Sequence, residues 1–110
     1  MRTAIIGNGE LDIKTDDLYR FAKNCTYPHP LDYVITTASY GVAESARTMA
    51  RERNILLYEL EPEQDEYDAI DLCEMAVIIR KDTDYPYLAQ YCDEKGRLFK
   101  EYVVQTNKAH

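Results

Sequence analysis

The 110-residue chain has no tryptophan, two histidines, three cysteines and a deficit of positive charge. Each shortage excludes something. Lys and Arg total 13 against 20 Asp and Glu, a formal charge of −7. Charge-driven binding to bulk nucleic acid needs a basic face, which this balance does not supply. A small phosphorylated ligand held by one or two local cations stays compatible with it. Cys25, Cys73 and Cys92 contain no CxxC or CxxxC pair, and His29 and His110 add no close ligand pair, so no metal site is expected. Buried free thiols in a reducing cytoplasm are expected instead. No apolar run approaches the ~20 residues of a membrane span, and Met1-Arg2-Thr3-Ala4-Ile5-Ile6 lacks the regions of a secretory signal peptide. A cytoplasmic protein without a membrane partner is the expectation. There is no internal repeat, low-complexity segment or interdomain linker.

What is present suits one α/β domain over 1–104, with a tail over 105–110 expected to fray. The hydrophobic fraction of 45% is ordinary for a globular chain. Ten tyrosines should lie largely at the core edge, because each ring seeks burial while its hydroxyl seeks a partner. A cluster of them on one face would suggest an interface.

Thr3 to Ile6 reads as a buried strand ending in the flexible Gly7-Asn8-Gly9-Glu10. Leu18, Phe21, Ala22 and Cys25 recur at helical spacing, with Thr15 or Asp16 as the cap and Tyr27-Pro28-His29-Pro30 as the stop. Leu31 to Thr36 is a second strand. Val42, Ala46, Met49 and Ala50 form the stripe of a second helix. Ile55 to Tyr58 is an apolar run suited to a strand covered on both faces. The acidic stretch from Glu59 to Asp71 reads as a solvated loop entering a short helix, and it lacks the spacing of a calcium loop. Ala76 to Ile79 is a fourth strand. Asp84 caps a last helix, whose buried stripe is Tyr85, Leu88, Ala89 and Cys92 and whose C-terminal glycine is Gly96. Leu98 to Val104 closes the fold. The alternation predicts a Rossmann-like three-layer sandwich with about five parallel strands, ordered 3-2-1-4-5.

In such sheets ligands bind beyond the carboxyl ends of the strands, where the strand order reverses. The candidate ligand-binding residues there are Gly7, Asn8, Gly9, Thr36, Thr37, Ser39, Gly41, Arg47, Arg80 and Thr83. The glycines would admit a ligand to the backbone, the hydroxyls would donate to it, and Arg80 with Lys81 would neutralise phosphate. A phosphate between Gly9, Ser39 and Arg80 is the specific expectation, because a strand ending at a helix start aims free N–H groups at one spot. Glu10 and Glu44 are the candidates for accepting a ribose hydroxyl or acting as a base. Structural readings stand beside these. Gly7 and Gly9 can serve only to turn the chain, Thr36 and Thr37 to end a strand, and Arg80-Lys81 to form a solvated loop. Glu44 and Arg47 can be an i,i+3 surface pair.

Gly7-Asn8-Gly9, the segment Ile35-Thr36-Thr37-Ala38-Ser39-Tyr40-Gly41-Val42-Ala43, and Asp71-Leu72-Cys73-Glu74-Met75-Ala76-Val77-Ile78-Ile79 together resemble the SLOG superfamily. The likeness is greatest to its YspA-like (DUF2493-type) branch and runs nearly the whole chain. Gly7, Gly41 and Val42 match that pattern, and Asp82-Thr83 stands at its later Gly-Thr loop. Thr37 and Ala38 replace its paired glycines, Ala43 its aspartate, and Asn8-Gly9 its polar and basic positions. The resemblance implies a domain that binds a nucleotide or nucleotide-derived ligand and requires no separate cofactor. Related enzymes cleave nucleotide N-glycosidic bonds through a motif that this chain lacks. Two other readings stand beside the binding domain: a hydrolase or transferase using Glu10 or Glu44, and a non-catalytic protein-interaction scaffold. A homodimer is compatible with each.

Overall fold

The computed structural model describes residues 1–106. Strands and helices alternate as β1 (Thr3–Gly7), α1 (Thr15–Thr26), β2 (Tyr33–Thr36), α2 (Val42–Glu52), β3 (Leu56–Glu59), α3 (Glu66–Leu72), β4 (Met75–Lys81), α4 (Tyr87–Lys95) and β5 (Leu98–Val104). The five strands pair in parallel in the order β3-β2-β1-β4-β5, the predicted arrangement. Strand order reverses between β1 and β4.

The central strands are apolar in a continuous run because helices cover both of their faces. Ile5 joins Val34, Met49, Val77 and Ile79 in the core beneath α1 and α2. Ala4 and Ile6 join Ile70, Ile78 and Cys92 beneath α3 and α4. On α2 the buried residues are Val42, Ala43, Ala46, Met49 and Ala50, so three alanines let this helix lie close to the sheet.

Several expectations need correction. The run over Ile55–Tyr58 is not covered on both faces: Leu56 is 61% exposed and Tyr58 45%. The strand is an edge, and the seven-residue α3 packs mainly over β1 and β2. Neither Thr15 nor Asp16 caps α1, which starts after Lys14 without a side-chain cap. Thr15 instead donates to Glu52 and Asp16 pairs with Arg53, so both polar groups fasten α1 to the end of α2. Pro86 occupies the N-cap position of α4 expected for Asp84, and Tyr85 is 60% exposed rather than part of the buried stripe. Gly96 ends α4 in the left-handed conformation, as expected. The acidic stretch holds a device not anticipated: Asp65 accepts from the amides of Tyr67 and Asp68, while Asp68 accepts from the Asp65 amide. This reciprocal box uses two of the acids to start α3. Of the tail expected to fray, Thr106 is tied to Asp82 through its amide and hydroxyl, and 107–110 lie outside the described residues.

Candidate functional site

Two glycines shape the carboxyl edge of the sheet, and both do so by backbone contact. Gly7 has φ +154°, and a Cβ there would lie 1.9 Å from the Ile79 carbonyl oxygen. It lets the end of β1 close against the end of β4. Gly41 has φ +68°, and a Cβ there would lie 2.4 Å from the Gly9 carbonyl carbon and 2.6 Å from the Asn8 oxygen. The turn into α2 is thus pressed against the loop after β1. The Val42 amide, at the head of α2, donates to the Asn8 carbonyl at 3.1 Å. One of the donors expected to face an anion is therefore occupied by the protein's own backbone. Gly9 differs from both, since nothing lies within 4 Å of a Cβ placed on it.

The β2–α2 turn is held from beneath. Arg47 Nη1 donates to the carbonyls of Thr37 and Ser39 at 2.8 and 2.9 Å, and its Nε lies 3.8 Å from Glu59. Its side chain is only 12% exposed. Arg47 pairs with Glu59 rather than with Glu44, because the second turn of α2 faces β3 at this position. Thr37 and Ser39 bond to each other through their hydroxyls at 2.6 Å. The Thr36 hydroxyl is sealed in the core without a partner.

At the reversal point an open crevice of about 450 Å³ is lined by Gly7, Asn8 and Gly9 from the β1 loop, by Ile78 and Arg80 from β4 and by Glu101 from β5. Its remaining wall is Glu66 and Tyr67 at the start of α3, and Asp84 through Leu88 at the approach to α4. Tyr85 and Tyr87 pack with ring centroids 4.6 Å apart, and Tyr67 meets Tyr91 edge-on at 4.9 Å. Gln90 donates to the Tyr85 hydroxyl at 3.1 Å, and Tyr91 donates to Asp71 at 2.8 Å. These contacts orient the aromatic wall.

Asp84 fixes the mouth of the crevice. Its Oδ2 accepts from Asn8 Nδ2 at 2.7 Å and from the Lys81 amide at 2.9 Å. The Asn8 bond, then the Lys81 amide, holds its carboxyl below the ordinary 3.8. Arg80 Nε donates to Glu101 at 2.7 Å, and its Nη1 reaches the carbonyls of Asp84 and Lys81 at 3.1 and 3.3 Å. Lys81 points to the other face by strand alternation and donates to Glu10 at 3.1 Å. The Arg80-Lys81 pair belongs to β4 and not to a solvated loop.

Of the residues singled out from sequence, Gly7, Asn8, Gly9 and Arg80 meet at this crevice. Thr37 and Ser39 line a separate hollow of about 220 Å³ with Asp65 and Glu66. Gly41 and Arg47 build the turn, Thr36 is buried, and Glu10, Glu44 and Thr83 are exposed outside the crevice. Sequence reasoning missed Glu66, Tyr67, Tyr87 and Glu101. The segment Asp84-Tyr85-Pro86-Tyr87 carried a usable signal, since it follows the strand next to the reversal point and its proline delays the helix. Among the described residues, no three His, Cys, Asp or Glu side chains gather where they could hold a metal, and no helix is long and apolar enough to cross a membrane. Comparison of the chain with family models, curated proteins and solved structures gives no match.

Proposed function

We propose that this chain is a small domain that binds a nucleotide or nucleotide-derived ligand in the crevice between β1 and β4. The observation that carries this reading is the position of the cavity. It opens where the strand order reverses, and its lining includes the Gly7–Gly9 loop together with Tyr67, Tyr85 and Tyr87. Its volume of about 450 Å³ falls in the range of ligand pockets and has room for a base and ribose. A base stacked on tyrosine gains roughly 1–3 kcal/mol. The SLOG resemblance, carried by Gly7, Gly41 and the flanking strands, supports the same class of ligand.

The hydrolase reading loses its named residues, because neither Glu10 nor Glu44 lines the crevice. The scaffold reading is favoured by one observation, the exposed Leu56 and Tyr58 on edge strand β3. We place a homodimer contact on that edge, compatible with an open crevice. Three buried free thiols support the cytoplasm as the compartment. Isothermal titration with a panel of nucleosides and nucleotides tests the reading. Binding that Tyr85→Ala weakens ~10-fold or more is the expected result. No heat from any compound at millimolar concentration would refute it.

A further inference from the structure

Three carboxylates line the crevice, those of Glu66, Asp84 and Glu101, against the single guanidinium of Arg80. That guanidinium already donates through Nε to Glu101 and through Nη1 to two backbone carbonyls. The neighbouring cation, Lys81, is held by Glu10 on the opposite face. The helix termini nearby add little. The first amide of α2 is bonded to Asn8, and α4 is entered through Pro86, which has no N–H. A phosphate dianion would enter a half-enclosed hollow of its own sign on a chain of formal charge −7.

What the crevice does present is carboxylate acceptors and tyrosine rings. Ionised carboxylates only accept hydrogen bonds. Asp84 receives both of its protein donors on Oδ2, which leaves Oδ1 outside those two bonds. Tyrosine faces carry the negative side of the ring quadrupole, which attracts cations and positively polarised N–H groups. The complementary ligand is flat, rich in donors and neutral or protonated.

We infer that the crevice takes its ligand ring first, as an amino-bearing base or nucleoside, and keeps any phosphate outside. This rests on the nucleotide-derived reading above and narrows it to the uncharged end of that class.

The test is titration of the full chain with adenosine, guanosine and cytidine, with uridine and inosine, and with the 5′-monophosphate of each. An amino-bearing nucleoside should bind ~10-fold more tightly than its carbonyl counterpart, the effect of one well-placed hydrogen bond. Its monophosphate should bind more weakly, by a factor that shrinks as salt is added. Glu66→Gln removes one repelling charge from a half-buried position, and it should raise monophosphate affinity relative to the nucleoside. Monophosphates that bind more tightly than their nucleosides, with the advantage lost in Arg80→Gln, would overturn this inference and leave the nucleotide reading standing. So would a Glu66→Gln ratio equal to the wild-type one. Silence across the whole panel would overturn both.

Discussion

Gly41→Ala should destabilise the protein strongly, and Gly9→Ala should not. The backbone at Gly41 has φ +68° and ψ −124°, a conformation that only glycine adopts without strain. Holding alanine there costs about 1–3 kcal/mol. The added methyl also has no room, since the nearest atoms are the Gly9 carbonyl carbon at 2.4 Å and the Asn8 and Gly9 oxygens at 2.6 Å. These are backbone atoms and cannot swing aside as a side chain could. If the β1 loop retreats, the bond from the Val42 amide to the Asn8 carbonyl lengthens, losing about 1 kcal/mol more. The sum is about 3 kcal/mol, a large part of the roughly 5–15 kcal/mol that holds a domain together. Urea denaturation should show a midpoint lower by about 1–3 M at unchanged slope. Thermal unfolding should shift down by roughly 12–24 °C. Gly9→Ala places its methyl in open space and should stay within about 0.5 kcal/mol of wild type. Equal effects from the two substitutions would refute the claim that Gly41 is required by contact with the β1 loop.

Three further outcomes are expected. Arg47→Ala should cost about 2 kcal/mol in urea denaturation, because it strips charge-assisted bonds from the Thr37 and Ser39 carbonyls. Arg47→Lys should restore only part of this, since an ammonium lacks the planar fork; full rescue would show that charge alone matters. Burial pushes the Cys92 thiol up to about 11 and raises Cys73 as well, so both should resist a thiol reagent at neutral pH until guanidinium unfolds the chain. Reaction of either at its unfolded-state rate in native buffer would contradict their burial. The Asp84 carboxyl, lowered first by the Asn8 bond, should titrate below 3.8 by carbon-detected NMR. A depressed carboxylate stabilises fully above its unfolded value and loses that contribution as pH falls through the folded value. The tether to Asn8 should therefore hold at neutral pH and fail only in strong acid, and a titration midpoint above 3.8 would disprove the bonding pattern.

The sequence made the fold legible because period and punctuation agreed. The apolar runs at Ile5 and Val77, the stripe from Val42 to Ala50 and the stop at Gly96 each drew on one local rule, and the sheet order followed from alternation. The exposure of Leu56 and Tyr58 was harder to read. An apolar run reads the same in a central strand and in an edge strand whose outer face lacks a helix. The site was half legible. Gly7 and Gly9 look alike in the sequence, yet one accommodates the Ile79 carbonyl and the other faces open space. A missing side chain states that something comes close, without stating whether that is ligand or protein. Arg47 looked available because its partners are carbonyls eight and ten residues back, and backbone acceptors leave no mark in the residue types. The tyrosine wall was unreadable for another reason. Tyr67 and Tyr87 lie on different helices and become neighbours of the crevice only once the sheet is assembled.

Asn8 ties the two halves of that sheet together at the mouth of the crevice. Its amide bonds Ile79 on β4, its carbonyl receives Val42 of α2, and its side chain holds Asp84. Displacing this residue would break all three at once, so the mouth of the crevice is held in one arrangement by the protein itself. Amide hydrogen exchange should register the knot as one unit. The Asn8 and Val42 protons should exchange together, at a rate set by opening of the sheet and not by fraying of the loop.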